Sequence, residues 1–263
     1  MTSYTTLLFD ISDNIAHITL NRVESANSMN MDMGRELLHV TTRCEQDDSI
    51  RAVILTGAGQ FFSAGGDLKA FSGFGDAISE RLQELTDYLH ASISALTRMR
   101  APVVVAVNGA AVGAGFSLAM AGDVVLAADT AKFAMAYTSA GLSPDGGASY
   151  FLPRLVGLRR AQELIIGNRK LSAAEALDWG LITRVCPADQ LMHEAQAMAK
   201  QLANSATQAI GTVKQQLLVS FDNTPEAQMA LEGKAIAQLA ASHDGQEGIQ
   251  AFLGKRRPMF TGK

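Results

Sequence analysis

Cysteine is nearly missing from this sequence. Its 263 residues include two cysteines, Cys44 and Cys186, isolated from each other and without metal-ligand spacing. That pattern argues against a cysteine-built metal centre or a disulfide framework, and a reducing cytosol is the expected setting. Basic runs are also missing. Net charge is −4, and the one cationic cluster is the short Lys255-Arg256-Arg257 near the end. Nucleic acid is therefore not an expected partner. Met1 to Thr6 lacks a basic n-region and an apolar h-region, so no secretory signal is expected. The longest apolar stretches are interrupted by Gly and Asp and fall short of a membrane span. These absences leave a cytoplasmic protein with no membrane segment as the expectation.

What is present is apolar and glycine-rich. Hydrophobic residues make up 48% of the chain and charged residues 18%, enough for a substantial core in one large domain or one domain with a helical appendage. Two glycine-rich turns organise the first half. One is Phe61-Phe62-Ser63-Ala64-Gly65-Gly66-Asp67-Leu68-Lys69; the other runs from Asn108 through Gly113-Ala114-Gly115 to Ser117. Each follows a β-branched run, Ala52 to Thr56 and Pro102 to Val107, that reads as a buried strand. Glycine and alanine directly after a strand let the backbone turn tightly and let a ligand approach bare N–H groups. Two such turns, each opening a helix, can aim two N–H groups at one oxygen, as an oxyanion hole does.

The remaining elements follow from spacing. Leu7 to Asp10 and Ile15 to Leu20 read as a hairpin about Ser12-Asp13-Asn14, followed by a polar loop from Asn21 to Asn30. Met31 to Glu45 has helical periodicity, as does Asp76 to Met99, with Leu82, Leu85, Leu89, Ile93 and Leu96 as its stripe. Asp123 to Ala128 and Lys132 to Tyr137 read as further strands. The Gly- and Pro-rich stretch Ala140 to Gly147 is a turn. Helices fill the rest, over 148–156, 160–166, 173–179, 188–204, 207–220, 225–242 and 246–253. The strands thus sit mostly in the first half. There is no repeat, and the best boundary for a helical appendage lies near Pro187.

Several polar residues have an ordinary structural reading. Asp145, in Pro-Asp-Gly-Gly before a helix, reads as a turn or N-cap residue, and Asp67 as an N-cap that positions Gly66. Ser117 suits capping or packing. His90 borders an apolar helix stripe, Tyr137 fits a core or a pocket wall, and Arg22 and Lys69 fit a solvated surface.

Five motifs taken together resemble the crotonase, or enoyl-CoA hydratase/isomerase, superfamily, from Leu7 to about Arg257. They are Leu20-Asn21-Arg22 with Asn27; Ser63 to Lys69; Ala101-Pro102 through Asn108-Gly109; Gly141-Leu142-Ser143-Pro144-Asp145-Gly146-Gly147; and Leu171-Ser172-Ala173 through Trp179-Gly180-Leu181. The resemblance implies an α/β fold, a ββα spiral acyl-CoA-binding core over 1–187 with a C-terminal helical region over 188–263 that makes trimers or hexamers. It implies an acyl-CoA thioester substrate, with CoA arriving as part of that substrate, and neither metal nor separate cofactor. By motif position the oxyanion donors are the N–H groups of Gly66 and Ala114. CoA contacts fall at Arg22, Ala26, Ala64, Gly65, Asp67, Leu68 and Lys69, where Lys69 and Arg22 suit phosphates.

The departures from the family pattern narrow the chemistry. Hydratases of the family hold water with two glutamates at positions that here carry Ser117 and Tyr137. Concerted acid–base delivery of water lacks both groups. A carboxylate does stand at Asp145, as in isomerase-type members, where one acid removes a proton and returns it to another carbon. The expected activity is therefore an enoyl-CoA isomerase with Asp145 as acid–base. The alternatives are an enoyl-CoA hydratase; a 4-chlorobenzoyl-CoA-type dehalogenase using Asp145 and His90, which needs an aromatic cage although Trp179 is the only tryptophan; and a non-catalytic acyl-CoA-binding member.

Overall fold

The computed structural model describes residues 4–263; Met1, Thr2 and Ser3, at the head of the segment read above for a signal, lie outside the described residues. The chain opens with a hairpin, β1 (Leu7–Ser12) and β2 (Ile15–Leu20). Its two-residue turn puts both Asp13 and Asn14 at positive φ, 52° and 61°, which short polar side chains tolerate. Helix α1 (Met31–Gln46) follows, capped by Asn30, whose side chain accepts from the Met33 N–H.

Three strand–strand–helix passages then repeat. The first is β3 (Ala52–Gly57), β4 (Phe61–Ser63) and the short α2 (Leu68–Ser72), extended by α3 (Ile78–Arg98). The second is β5 (Val103–Val107), β6 (Ala110–Val112) and α4 (Ala114–Ala119). The third is β7 (Val124–Ala128), β8 (Lys132–Ala134) and the helices α5 (Ala148–Val156) and α6 (Leu158–Ile165). The first strand of each passage joins a six-stranded sheet ordered β1-β2-β3-β5-β7-β10, and the second joins a four-stranded sheet ordered β4-β6-β8-β9. Strands β9 (Lys170–Ser172) and β10 (Arg184–Cys186) flank α7 (Ala173–Asp178) and complete the two sheets. The main sheet is parallel beyond its hairpin. All residues of β3 and β5 are buried, which is why they read as unbroken apolar runs. This alternation between two sheets is the ββα spiral of the crotonase fold.

Helices α8 (Leu191–Ala203), α9 (Thr207–Val219), α10 (Pro225–Ala240) and α11 (His243–Leu253) end the chain. Leu191, Ala195 and Ala199 of α8 are buried, and the helix lies over β2, β3, β5 and β7. The first helix after Pro187 is therefore packed on the core, and the chain extends away from the sheets only with α9 to α11. On those helices and in the turn between α9 and α10, Leu217, Phe221, Ile236 and Phe252 are 65%, 70%, 70% and 84% exposed. Lys214 anchors α9: its Nζ lies 2.7 Å from Asp123 Oδ2 and donates to the carbonyls of Leu96 and Ala101.

Several boundaries differ from the sequence reading. Strand β8 stops at Ala134, because Ala136 adopts φ +53° and turns the chain toward Tyr137. The long helix begins at Ile78, after a turn of 3₁₀ helix over Gly75–Ala77. Helix α8 starts at Leu191, and α11 starts at His243 with Ser242 as its cap. Four three-residue strands, β4, β6, β9 and β10, are absent from the sequence reading; they are too short to show a period. Among the described residues no helix is long and apolar enough to cross a membrane, and no group of three His, Cys, Asp or Glu side chains could hold a metal ion.

Candidate active site

The two glycine turns meet backbone to backbone. Gly65 has φ +89°, and a Cβ there would stand 2.6 Å from the Val112 carbonyl and 3.3 Å from the Ala114 nitrogen. Only glycine permits that approach. Gly113, at φ 52° and ψ −123°, turns the chain into α4, of which Ala114 is the first residue. Gly66 lies just ahead of α2, whose cap is Asp67 through a bond from the Ala70 N–H. Among the described residues neither the Gly66 nor the Ala114 N–H donates to a protein acceptor, and both residues line one cavity of about 300 Å³. Alanine at position 114 costs nothing here, since its N–H is retained. Two unpaired donors on adjoining turns can bind an oxygen that gains negative charge.

Asp145 lines the same cavity. Its turn is pressed onto α4: Gly146 has φ +61°, and a Cβ there would meet Ser117 Cβ at 2.7 Å. The carboxylate oxygen Oδ1 accepts from the Tyr137 hydroxyl at 2.5 Å. The Asp145 carbonyl accepts from Ser117 Oγ at 2.9 Å, and Ser117 Oγ lies 3.2 Å from Tyr137 Oη. Burial, then the charge of Asp145, push the Tyr137 phenol well up, so it serves as a donor. The two positions where hydratases of the family carry glutamate are thus occupied by hydroxyl groups bonded to the Asp145 turn. Among the residues lining the cavity, Asp145 is the one carboxylate.

His90 stands behind this turn. Its Nε2 lies 3.8 Å from Asp145 Oδ2 but accepts the Gly146 N–H at 3.1 Å. A nitrogen that accepts from a backbone N–H carries no proton, so His90 is assigned as neutral with its proton on Nδ1. It lines a neighbouring cavity with Ile93, Tyr150 and Phe151, not the one that holds Gly66 and Ala114.

Met29, Phe71, Leu82, Leu85, Leu89 and Met135 supply most of the apolar wall. In the stretch 71–78, Phe71 is the residue that reaches the cavity. Tyr88 does not reach it: its hydroxyl donates to Glu84 Oε1 and its ring faces Arg35. Trp179 lies between the guanidinium groups of Arg160 and Arg169, with centroid distances of 4.7 and 4.8 Å, and supplies no aromatic cage.

The expected CoA contacts divide into two groups. Ala64 and Leu68 line the cavity, and Ala26 accepts the Ala64 N–H at 2.9 Å. Lys69 is exposed and has no ion-pair partner among the described residues. Arg22 instead turns inward to Asp67 at 3.0 Å. Sequence reasoning missed the apolar walls from Met29 and Met135, which lie in loops without periodicity, and the hydrogen bond from Tyr137 to Asp145.

Alternating sheets, paired backbone donors and an apolar cavity define an enzyme of the crotonase fold. The chain belongs to the enoyl-CoA hydratase/isomerase family, whose model matches residues 10–263. It is 38% identical over 258 residues to 1,2-epoxyphenylacetyl-CoA isomerase of Escherichia coli (strain K12), covering 98% of each chain. It is 40% identical over 264 residues to a Rhodobacter capsulatus protein named "Probable enoyl-CoA hydratase", covering 99% of this chain and 100% of that one. Among solved structures, an enoyl-CoA hydratase from Polaromonas sp. JS666 superposes with a TM-score of 0.92 at 35% identity, covering 97% of this chain and 99% of that one.

Proposed function

We propose that this chain is an acyl-CoA isomerase that moves a double bond from the 3,4 to the 2,3 position of an enoyl thioester. The observation that carries the reading is the single carboxylate in the cavity, Asp145, held by Tyr137 beside the two unpaired N–H donors. The thioester oxygen sits on the Gly66 and Ala114 N–H groups. The Asp145 carboxylate removes a proton from C2, and the electrons of that bond pass into the thioester carbonyl, giving a dienolate with its charge on the thioester oxygen and conjugated with the 3,4 double bond. The dienolate is stabilised by the two donors, each of which typically contributes about 2.7–4 kcal/mol. Asp145 then returns the proton to C4. One acid suffices because the proton is recycled, so the missing second carboxylate is no obstacle. The Tyr137 bond keeps Asp145 oriented at both stages.

Lys69, exposed and next in sequence to the cavity-lining Leu68, supplies charge for the CoA phosphates. The exposed apolar residues of α9 to α11 form the contact surface of a homotrimer, or of a hexamer built from trimers. Light scattering on the purified protein reads that state; a monomer at micromolar concentration overturns it. The reaction itself is tested by offering a 3-enoyl-CoA and following conjugation of the thioester by its absorbance. A second reading, hydrolytic dehalogenation with Asp145 as nucleophile, draws on the 3.8 Å approach of His90. The Gly146 bond and the separate cavity of His90 make it the weaker of the two.

A further inference from the structure

Arg22 has the chemistry of a phosphate ligand and the surroundings of a brace. Its side chain is 15% exposed, and that of Asp67 13%. Nη1 donates to the Ser28 carbonyl at 2.6 Å and to Asp67 Oδ2 at 3.0 Å, while Nη2 reaches Ser25 Oγ at 3.4 Å. To grip a phosphate, the guanidinium would have to break its bonds to a largely buried carboxylate oxygen and to a carbonyl.

The loop that carries Arg22 is itself fixed. Ala26 and Asn27 both take positive φ, 50° and 54°. Asn27 is fully buried; its Oδ1 accepts the Arg22 N–H at 2.9 Å, and its Nδ2 donates to the carbonyls of Ala58 and Phe61 at 2.9 and 2.8 Å. The loop then grips the first glycine turn on both sides of Gly66. The Met29 N–H donates to the Gly65 carbonyl at 2.6 Å, and the Asp67 N–H donates to the Met29 carbonyl at 3.0 Å. Asp67 spends its second carboxylate oxygen on the Ala70 N–H at 3.0 Å, the cap of α2. Burial works against its charge, yet the Ala70 N–H and the Arg22 guanidinium hold the Asp67 carboxyl below its ordinary value.

We infer that Arg22 is a positioning residue for the Gly66 N–H donor, acting through Asp67 and the Ser28 carbonyl, and that it does not bind the CoA phosphates. The inference rests on the reading of Gly66 as a donor to the thioester oxygen. A donor misplaced by a fraction of an ångström weakens the transition state while leaving the distant nucleotide contacts alone. A phosphate ligand does the opposite.

The test compares wild type, Arg22→Ala and Arg22→Lys on an acyl-CoA and on the same acyl group carried by pantetheine, which has no phosphate. The carbonyl stretch of a bound, unreactive acyl thioester is recorded in parallel by difference infrared spectroscopy. Arg22→Ala is expected to lower kcat by about 10–100-fold on both thioesters alike, with KM for the CoA ester changed less than about threefold. The red-shift of the bound carbonyl should shrink in the variant. Arg22→Lys, which keeps the charge and loses the fork, should fall between. If Arg22→Ala does not fold, Arg22→Lys carries the same readings. A loss confined to KM for the CoA ester, absent with pantetheine and with the carbonyl shift intact, overturns the inference. A wild-type carbonyl that shows no shift overturns the oxyanion-hole reading itself and the inference with it.

Discussion

Replacing Tyr137 with phenylalanine removes the one hydroxyl that bonds the Asp145 carboxylate, together with its 3.2 Å contact to Ser117 Oγ. The lost bond is 2.5 Å long and runs to a charged acceptor, a class worth about 1.5–3 kcal/mol. At about 1.36 kcal/mol per factor of ten in rate, that spans roughly 10- to 150-fold in kcat. Two features place the effect at the low end. The Asp145 side chain is 24% exposed, so water can replace part of the bond, and the Ser117 hydroxyl still holds the Asp145 carbonyl at 2.9 Å. The expected outcome for Tyr137→Phe is a kcat about tenfold below wild type on a 3-enoyl-CoA. KM should be nearly unchanged, because the phenyl ring keeps its place in the cavity wall and the two N–H donors are untouched. Steady-state kinetics on protein with a wild-type circular dichroism spectrum makes the comparison. A kcat within twofold of wild type would refute the argument that Tyr137 orients the base.

Three further outcomes are expected. Burial and the neighbouring Asp145 disfavour the Tyr137 phenolate, so the difference between spectrophotometric titrations of wild type and Tyr137→Phe should show this phenol still protonated where a free phenol ionises, near pH 10. Since its folded value lies above its unfolded one, the associated stability is complete below about pH 10 and declines above it; a Tyr137 phenolate signal already present at pH 10 would contradict the environment described. Lys214→Met leaves Asp123 without its buried cation and should lower stability by about 3 kcal/mol in chemical denaturation, with Asp123→Asn in the same chain restoring part of the loss; a change below about 1 kcal/mol would refute the anchoring role. Gly65→Ala forces a side chain to φ +89° and to 2.6 Å from the Val112 carbonyl, so activity should drop at least about 100-fold even where the fold survives; near-normal kcat would refute the close packing of the two turns.

The elements written most plainly in the chain are those whose environment is uniform. β3 and β5 are buried along their whole length, so their apolar runs announced them, and the glycine turns after them could be placed because φ and close approach demand that residue. The short strands β4, β6, β9 and β10 were invisible for a physical reason: three residues carry no period, and their pairing partners lie elsewhere in the sequence. The candidate site divides similarly. Gly66, Ala114 and Asp145 were placed by their turns, and the cavity brings them together. The direction a side chain takes was not legible. Arg22 reads as a phosphate ligand until its partner Asp67, 45 residues away, is seen. Tyr88 and Tyr137 look alike in sequence, yet one faces Glu84 and Arg35 and the other bonds Asp145. His90 looked available to the site, but its Nε2 is committed to the Gly146 N–H.

The most direct test of the account offers a 3-enoyl-CoA and a 2-enoyl-CoA side by side to wild type and to Asp145→Ala. The account predicts that wild type converts the 3-enoyl to the 2-enoyl thioester, forms no 3-hydroxyacyl-CoA at a comparable rate, and loses the isomerisation in the variant. Hydration of the 2-enoyl substrate that persists without Asp145 would contradict it and would mean that other groups in the cavity activate water.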